Sequence, residues 1–579
     1  MRNFNVFLAV IAVLAASCSR ELTDETGIPS GQKILKSSPV GDVVGKMVVG
    51  YQGWFSCSGD GSPRNVWSHW AATGTIPAPG NQTFELWPDM REYARGFQTG
   101  YANLGNGSPA QLFASYDDNV VDKHFQWMQT YGIDCAAVQR FGSVLGDATM
   151  KAQRDGIATK VRNAAQTYGR KFYVMYDISS WTNFQSEIKT DWTNVIKGSL
   201  DLLASGSYAK QNGLPVVCIW GIGLANRPGD VTSWTEVINW FKGQGCYVIA
   251  GTPREWRTDA TNLPAYTAAN MVSPWTVGGF SGTGGADSYA SSTMQPDRDY
   301  CNANGLDYQP VAFVGFAWSN WNGGTRNSIP RIHGDFMWRQ FYNIRNQGIP
   351  NVYVAMFDEY DEATAIAKAA ENSSMIPTDQ YFLTLDADGT AVSSDFYLRL
   401  ANDGAKMIKG QTGLVSEHPT SHDGSPGGAI YMDNCDASTG WISANTLSVY
   451  TADKKEGTGC LQSVGSGTGE FKKVFSPIYN SGATVATGKL QFWYYVSDIT
   501  KFNADNQIEL GSGGAADVNE YNWSIGTLVN GWNLITKTFS SAGTTGGTPD
   551  LNAINWIRIY HFKTASITTR IDAVQILNN

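Results

Sequence analysis

At 579 residues the chain is too long for one hydrophobic core, so two or three domains are expected. It is 42% hydrophobic and 16% charged, a globular composition, and its formal net charge is −9. The acidic balance excludes a general nucleic-acid role, because phosphate binding needs a basic surface. Aromatics make up 12%, with 20 Trp and 26 Tyr. Flat rings cover the apolar faces of sugars and of other hydrophobic ligands, although most of them fill cores.

The first residues read as a targeting segment. Arg2 supplies a positive start, and Val6 to Ala16 is apolar but too short to span a bilayer. The segment ends in Ala15, Ala16, Ser17 and Cys18, which resembles a bacterial lipoprotein processing site with Cys18 as the acylated first residue. An ordinary signal peptide with an incidental cysteine is the alternative. The expectation is therefore a signal peptide over 1–18, a lipid anchor on Cys18, and a polar tether over 19–39 carrying Glu21, Asp24 and Glu25. This implies an exported protein held to a membrane by its anchor, in the cell envelope or at the cell surface. No later segment is apolar enough to cross a membrane.

From Lys46 onward, short apolar runs alternate with helix-like stretches. The runs begin at Met47, Cys135, Phe172, Pro215, Tyr247, Met271, Pro310 and Val352, and the last extends to Glu359. They are continuously apolar rather than alternating, as a strand buried on both faces requires, which predicts a parallel sheet covered by helices. Between them, Asp118 is placed to cap a helix carrying Val121, Phe125 and Met128, stopped by Gly132. Ser233 to Glu236 fits a capping box, and Phe336, Met337, Phe341 and Ile344 mark a helix ending near Gly348. Eight strand–helix units within 40–409 predict a (β/α)8 TIM-type barrel. A doubly wound open sheet explains eight similar units less well, and no G-x-G-x-x-G follows the first strand.

Residues 410–428 are rich in Gly, Ser, Pro and His and read as a linker. Over 429–579 the pattern becomes short alternating segments such as Lys489 to Val496 and Trp556 to Phe562, separated by turn residues. That predicts a C-terminal antiparallel β-sandwich of jelly-roll, carbohydrate-binding type. Trp441 and Tyr450 are its candidate binding platform, with a passive spacer as the alternative. The eight cysteines contain no CxxC pair, which argues against structural zinc. Cys435 and Cys460 are expected to pair as a disulfide, whereas Cys135 and Cys218 sit in apolar runs and read as buried.

In a barrel the active site lies at the C-terminal ends of the strands. There, directly after six apolar residues, stand Asp358, Glu359, Tyr360, Asp361 and Glu362. A charge run that starts from the core is a site rim rather than a solvated helix face. Strand alternation sends Glu359 and Asp361 to one side and Asp358 and Tyr360 to the other. Crowded acids cannot all ionise freely, and a protonated carboxyl beside an ionised one is what glycosidic cleavage uses. Four carboxylates also fit a divalent cation, which leaves a calcium-dependent adhesion protein open, but no further ligand motif points that way. The long connection from Phe55 to about Ser115 holds Trp67, His69, Trp70 and Trp87, and its length and aromatic content point to function.

These residues carry a family resemblance. Phe357 to Thr364 resembles the Asn-Glu-Trp-His-Glu-Gly-Thr signature of glycoside hydrolase family 99, the endo-α-mannosidases, and more loosely that of the family 71 α-1,3-glucanases. Gly50 to Phe55, followed by Ser68-His69-Trp70, resembles the first strand and the His-Trp loop of that family. The resemblance spans about 40–410. It implies a retaining, metal-independent glycosidase with no cofactor. In such an enzyme one carboxylate takes the proton of the sugar 2-hydroxyl to give a 1,2-anhydro intermediate, and the other acts as acid and then base. By position, Glu359 is the base and Glu362 the acid/base. Asp358, Tyr360, Asp361 and Ala363 depart from the signature's Asn, Trp, His and Gly, so the substrate need not be mannan, and polymers containing xylose or arabinose are candidates. The expected sugar-binding set is Tyr51, Trp54, His69, Trp70, Asp177, Arg254, Trp256, Trp275, Asp358, Tyr360 and Asp361. The expected partners are a carbohydrate substrate and, through the anchor, a membrane. The alternative is a surface lipoprotein that binds glycans without cleaving them.

Overall fold

The computed structural model describes residues 38–422, 431–455, 459–479, 481, 483–503 and 506–578. Cys18, the targeting segment, most of the tether and part of the 410–428 linker lie outside the described residues.

Eight parallel strands form the first domain. They are β1 (Met47–Tyr51), β2 (Cys135–Phe141), β3 (Lys171–Asp177), β4 (Leu214–Trp220), β5 (Tyr247–Pro253), β6 (Met271–Trp275), β7 in two pieces (Asp307–Tyr308 and Val311–Phe313) and β8 (Val352–Ala355). Each pairs in parallel with its neighbour, and β8 pairs back onto β1 with Met47 opposite Val352. The barrel closes through β7. Its first piece pairs only with β6 and its second only with β8, across a break at Gln309 and Pro310. Proline has no N–H to donate to a ladder, so the strand changes partner there. The fold is a (β/α)8 barrel.

Its strands are buried on both faces, as their unbroken apolar runs require. The main helices are α1 (Asp118–Thr130), α2 (Ala148–Thr167), α3 (Phe184–Asp191), α4 (Val231–Gly243), α5 (Leu263–Ala268), α6 (Gly282–Tyr289), α7 (Gln295–Asn304), α8 (Asp335–Asn346) and α9 (Phe396–Ile408). Two predicted caps move. Asp117 rather than Asp118 caps α1, accepting from the Asn119 N–H. In α4 the capping box is Asp230 with Ser233, so Ser233 stands at the third helical position instead of at the cap. Residues 411–422, read as linker, pack on the barrel: the Trp338 indole donates to the Val415 carbonyl and Phe396 meets the His418 and His422 rings.

The second domain is a β-sandwich built on two long strands that run through both sheets. Its strands are β9 (Tyr431–Asp433), β10 (Trp441–Ile442), β11 (Thr446–Tyr450), β12 (Cys460–Tyr479), β13 (Gly488–Val496), β14 (Gln507–Gly511), β15 (Glu520–Ser524), β16 (Gly531–Thr538), β17 (Gly543–Thr545) and β18 (Ile554–Asn578). The first half of β12 and the second half of β18 form a sheet with β11, β13 and β16. Their other halves form a second sheet with β10, β14, β15 and β17. The register shifts between Gly465 and Gly467, where β12 turns the corner. Along β13 burial alternates strictly, with Leu490, Phe492, Tyr494 and Val496 in the core. The predicted Cys435–Cys460 disulfide is not present: both are free, buried thiols whose sulfurs face the Asp433 and Asp453 carbonyls.

Among the described residues, no helix is long and apolar enough to cross a membrane.

Candidate active site

The site begins where β8 stops. The predicted strand ran to Glu359, but the ladder ends at Ala355 and the chain folds back on itself. The Met356 N–H reaches the Thr364 carbonyl and the Ile366 N–H returns to the Met356 carbonyl, while Phe357 bridges Gly50 and Ala367. Glu359 caps this loop from within, its carbonyl accepting from Thr364 and Ala365. Below it, the buried Arg331 guanidinium donates to the Ala363 and Ala365 carbonyls at 2.9 and 2.8 Å. A continuous apolar run cannot distinguish a buried strand from a buried strand-plus-turn, which is why the boundary was misplaced.

Ala363 sits in this loop at φ 53°, a conformation that glycine adopts without a Cβ penalty. Ala363→Gly is accordingly expected to raise the unfolding free energy by about 0.5–1 kcal/mol, measured by denaturant titration.

The loop brings Glu359, Asp361 and Glu362 to one cavity of about 850 Å³ at the C-terminal end of the barrel. Its walls are aromatic. Trp54 stacks on His69 with ring centroids 4.1 Å apart and 10° between planes, and on its other side lies Phe141. Trp220 and Trp275 meet edge to face at 5.2 Å, and the Arg227 guanidinium lies 5.3 Å from the Trp220 ring centre. Asp177 ends β3 at the cavity, where its carboxylate accepts from the Ser179 N–H at 2.7 Å.

The carboxyls are arranged unequally. Glu359 accepts from the Gln52 side-chain amide at 3.1 Å, and Asp361 lies 3.0 Å from His69 Nδ1. Burial, and then the charge of Glu362, push Glu359 well above the ordinary carboxylate range, while the Gln52 hydrogen bond acts in the opposite direction. Burial alone pushes Glu362 up to about 7. Asp361 is likewise raised by burial and by both glutamates, whereas burial and the Arg154 and Arg64 charges hold His69 well below the usual imidazole value. Both shifts act in the same sense, toward the uncharged forms of Asp361 and His69. The Asp361 Oδ1, Gln52 Oε1, Trp54 Nε1 and Trp220 Nε1 atoms are buried without a hydrogen-bond partner among the described residues.

Asp358 does different work. It is fully buried away from the cavity and accepts from the Gln52 and Gly53 N–H groups at 2.7 and 2.9 Å. It thereby ties the turn after β1, where Gly53 takes φ 55°, to the end of β8. Burial still lifts it to about 6 against those hydrogen bonds.

Of the residues proposed from sequence, Glu359, Glu362, Asp361, Trp54, His69, Asp177 and Trp275 line the cavity. Six others do not line it. Tyr51 is fully buried, with its hydroxyl on His124. Trp70 is enclosed by Phe55, Phe84 and Phe113 and donates to the Phe113 carbonyl. Trp256 is buried on Asp297, and Arg254 reaches the Gly279 carbonyl and Glu255. Tyr360 is buried and donates to the Lys368 carbonyl. Asp358 clamps the turn just described. The sequence reasoning missed Gln52, Gln139, Arg64 and Arg227, all of which line the cavity. Gln139 carried a signal, a polar residue within an otherwise apolar strand; Arg64 and Arg227 arrive on loops and carried none. Among the described residues, no group of three or more His, Cys, Asp or Glu side chains is placed to hold a metal ion.

No family model matches the chain, and no curated protein does. Among solved structures, the family 99 endo-α-mannosidase from Bacteroides thetaiotaomicron is similar at 14% identity and a TM-score of 0.46, covering 64% of this chain and 98% of that one. A glycoside hydrolase-like protein is similar at 12% identity and a TM-score of 0.40, covering 66% and 97%. The family 11 carbohydrate-binding module of a cellulosomal cellulase from Clostridium thermocellum is similar at 16% identity and a TM-score of 0.21, covering 26% of this chain and 95% of that one.

Proposed function

We propose that this protein is a glycoside hydrolase in which Glu359 and Glu362 carry the reaction. One observation supports this above the others: two carboxyls three residues apart face a tryptophan-walled cavity, and burial raises the proton affinity of both. Such a pair holds one proton between its members near neutral pH, so an acid and a base coexist in one site. Glu362 is the acid that protonates the leaving glycosidic oxygen. Glu359 is the base, and the Gln52 amide stabilises its ionised form. A substrate hydroxyl donating to Glu359 completes that arrangement. The rings of Trp220 and Trp275 at the cavity wall suit the apolar faces of sugars.

Within this reading the enzyme retains anomeric configuration and needs no metal, with Glu359 taking the proton of the 2-hydroxyl. The substrate is a poly- or oligosaccharide, α-mannan-type glycans first and xylose- or arabinose-containing polymers second. The protein works at the cell envelope, held there by a lipid on Cys18; the residues Ala15 to Cys18 support this. Reducing-sugar release from α-mannans, α-glucans, xylans and arabinans tests the reading. Cleavage of at least one is expected, and binding of a glycan with no cleavage of any overturns it.

The pH profile of kcat/KM should be bell-shaped. Glu359 and Glu362 titrate as a coupled pair, so the two limbs belong to the pair, and because burial raises both proton affinities the acid limb stands above the ordinary carboxylate range. The alkaline limb is expected to disappear in Glu362→Gln.

A further inference from the structure

The sandwich carries a second, independent constellation. In the sheet of β11, β12, β18, β13 and β16, one register row crosses all five strands: Ser448, Gln462, Arg570, Tyr495 and Trp532 stand opposite one another in turn. At about 4.8 Å per strand that row is roughly 19 Å long. All five side chains share one face, since directly paired residues point the same way. The opposite face is the core, where Tyr494 and Val496 are fully buried.

On the outer face the rings and charges interlock. The Arg570 guanidinium lies between Tyr450 and Tyr495, 3.9 and 4.3 Å from their centres. Tyr495 meets Trp532 at 5.5 Å, and the Lys455 ammonium lies 4.9 Å from the Trp493 ring. Arg570 also donates to Gln462 and to Asp453, and the Trp532 indole donates to Asp453 as well. Arg570 is thus neutralised within the face, at 2.9 Å from Asp453. Trp493, Tyr495 and Trp532 remain only half-buried, and Leu534, directly opposite Trp493, is 49% exposed.

We propose that this face is a non-catalytic binding site for an uncharged polysaccharide chain laid across the strands. Half-exposed aromatic rings held rigid by cation–π contacts present apolar area without an ordering cost, and Gln462 and Asp453 offer hydrogen-bonding groups beside them. The Arg570–Asp453 pair is matched internally, so an acidic polymer finds no free guanidinium there, and the row is long enough for several sugar rings. Trp441, read from sequence as part of a platform, is buried and faces Lys473; Tyr450 belongs to the site. The proposal does not depend on the barrel being catalytic.

Affinity electrophoresis of the full chain through gels containing α-mannan, mixed-linkage β-glucan, xylan or polygalacturonate tests it. Retardation by at least one neutral polymer is expected, weakened about tenfold or more by Trp532→Ala and by Trp493→Ala. Both variants should keep the thermal unfolding midpoint of the sandwich, and neither should change cleavage of a short soluble oligosaccharide. Trp493 lacks the Asp453 bond of Trp532, so its variant keeps the test decisive if Trp532→Ala unfolds. Retardation by polygalacturonate alone, by no polymer, or to the same degree in folded variants overturns the proposal.

Discussion

Glu362→Gln and Glu359→Gln should each lower cleavage of a natural glycan by about 10²–10⁴-fold while leaving the protein at least as stable as the wild type. The activity loss follows from removing the proton donor or the base. The stability argument has the opposite sign and comes from linkage. Burial raises Glu362 to about 7, so the folded state holds this proton more tightly than the unfolded chain does. That contribution favours folding at low pH and is lost as pH rises from the ordinary carboxylate value through about 7. Above that range the ionised, buried carboxyl destabilises the fold. A glutamine of the same shape removes the penalty, so the melting temperature of Glu362→Gln should exceed that of the wild type above pH 7, with the difference shrinking toward pH 4. The same sign holds for Glu359, whose shift is also upward. The roles separate on an activated aryl glycoside, whose leaving group needs no proton. Glu362→Gln should recover cleavage there, and Glu359→Gln should not. Full activity in both variants would place the chemistry elsewhere.

This pairing of lost activity with unchanged or higher stability is what distinguishes Glu359 and Glu362 from Asp358, although all three lie within five residues. Asp358 accepts two backbone N–H groups and joins the β1 turn to the β8 loop, so its loss leaves those donors buried without partners. In sequence the acids look alike. Alternation placed Asp358 and Tyr360 on one side and Glu359 and Asp361 on the other, and the structure has them on those sides even though the strand ends first. The barrel was legible because its strands must be apolar on both faces, a demand every residue in the run obeys. The aromatic positions were not. Trp54 stands just before the long loop and Trp70 within it, and nothing local says that Trp54 faces the cavity while Trp70 is sealed under Phe55. Burial and sugar stacking select the same side chain, and only the tertiary arrangement decides between them.

Arg140→Met should cost about 3–5 kcal/mol of stability, the largest effect expected of any change outside the cavity. Arg140 is the last residue but one of β2 and reads in sequence as one more polar residue near a strand end. Its side chain is buried and makes a two-pronged contact with Asp191 of α3, at 2.7 and 2.6 Å, with a third bond to Asp155 of α2 at 2.9 Å. The Tyr176 hydroxyl of β3 donates to the same Asp191 at 2.7 Å. The guanidinium thus ties β2 to two helices, and Tyr176 joins β3 to the same Asp191, on the side of the barrel that carries Asp177 and Phe141 into the cavity. Methionine fills much of the volume but leaves Asp191 buried with a single neutral donor. The penalty falls on that unpaired buried carboxylate, and denaturant unfolding measures the loss. Pairing the change with Asp191→Leu removes the orphaned charge and should restore a large part of the stability. If the double variant is no more stable than Arg140→Met, the cost lies in packing rather than in the unpaired carboxylate.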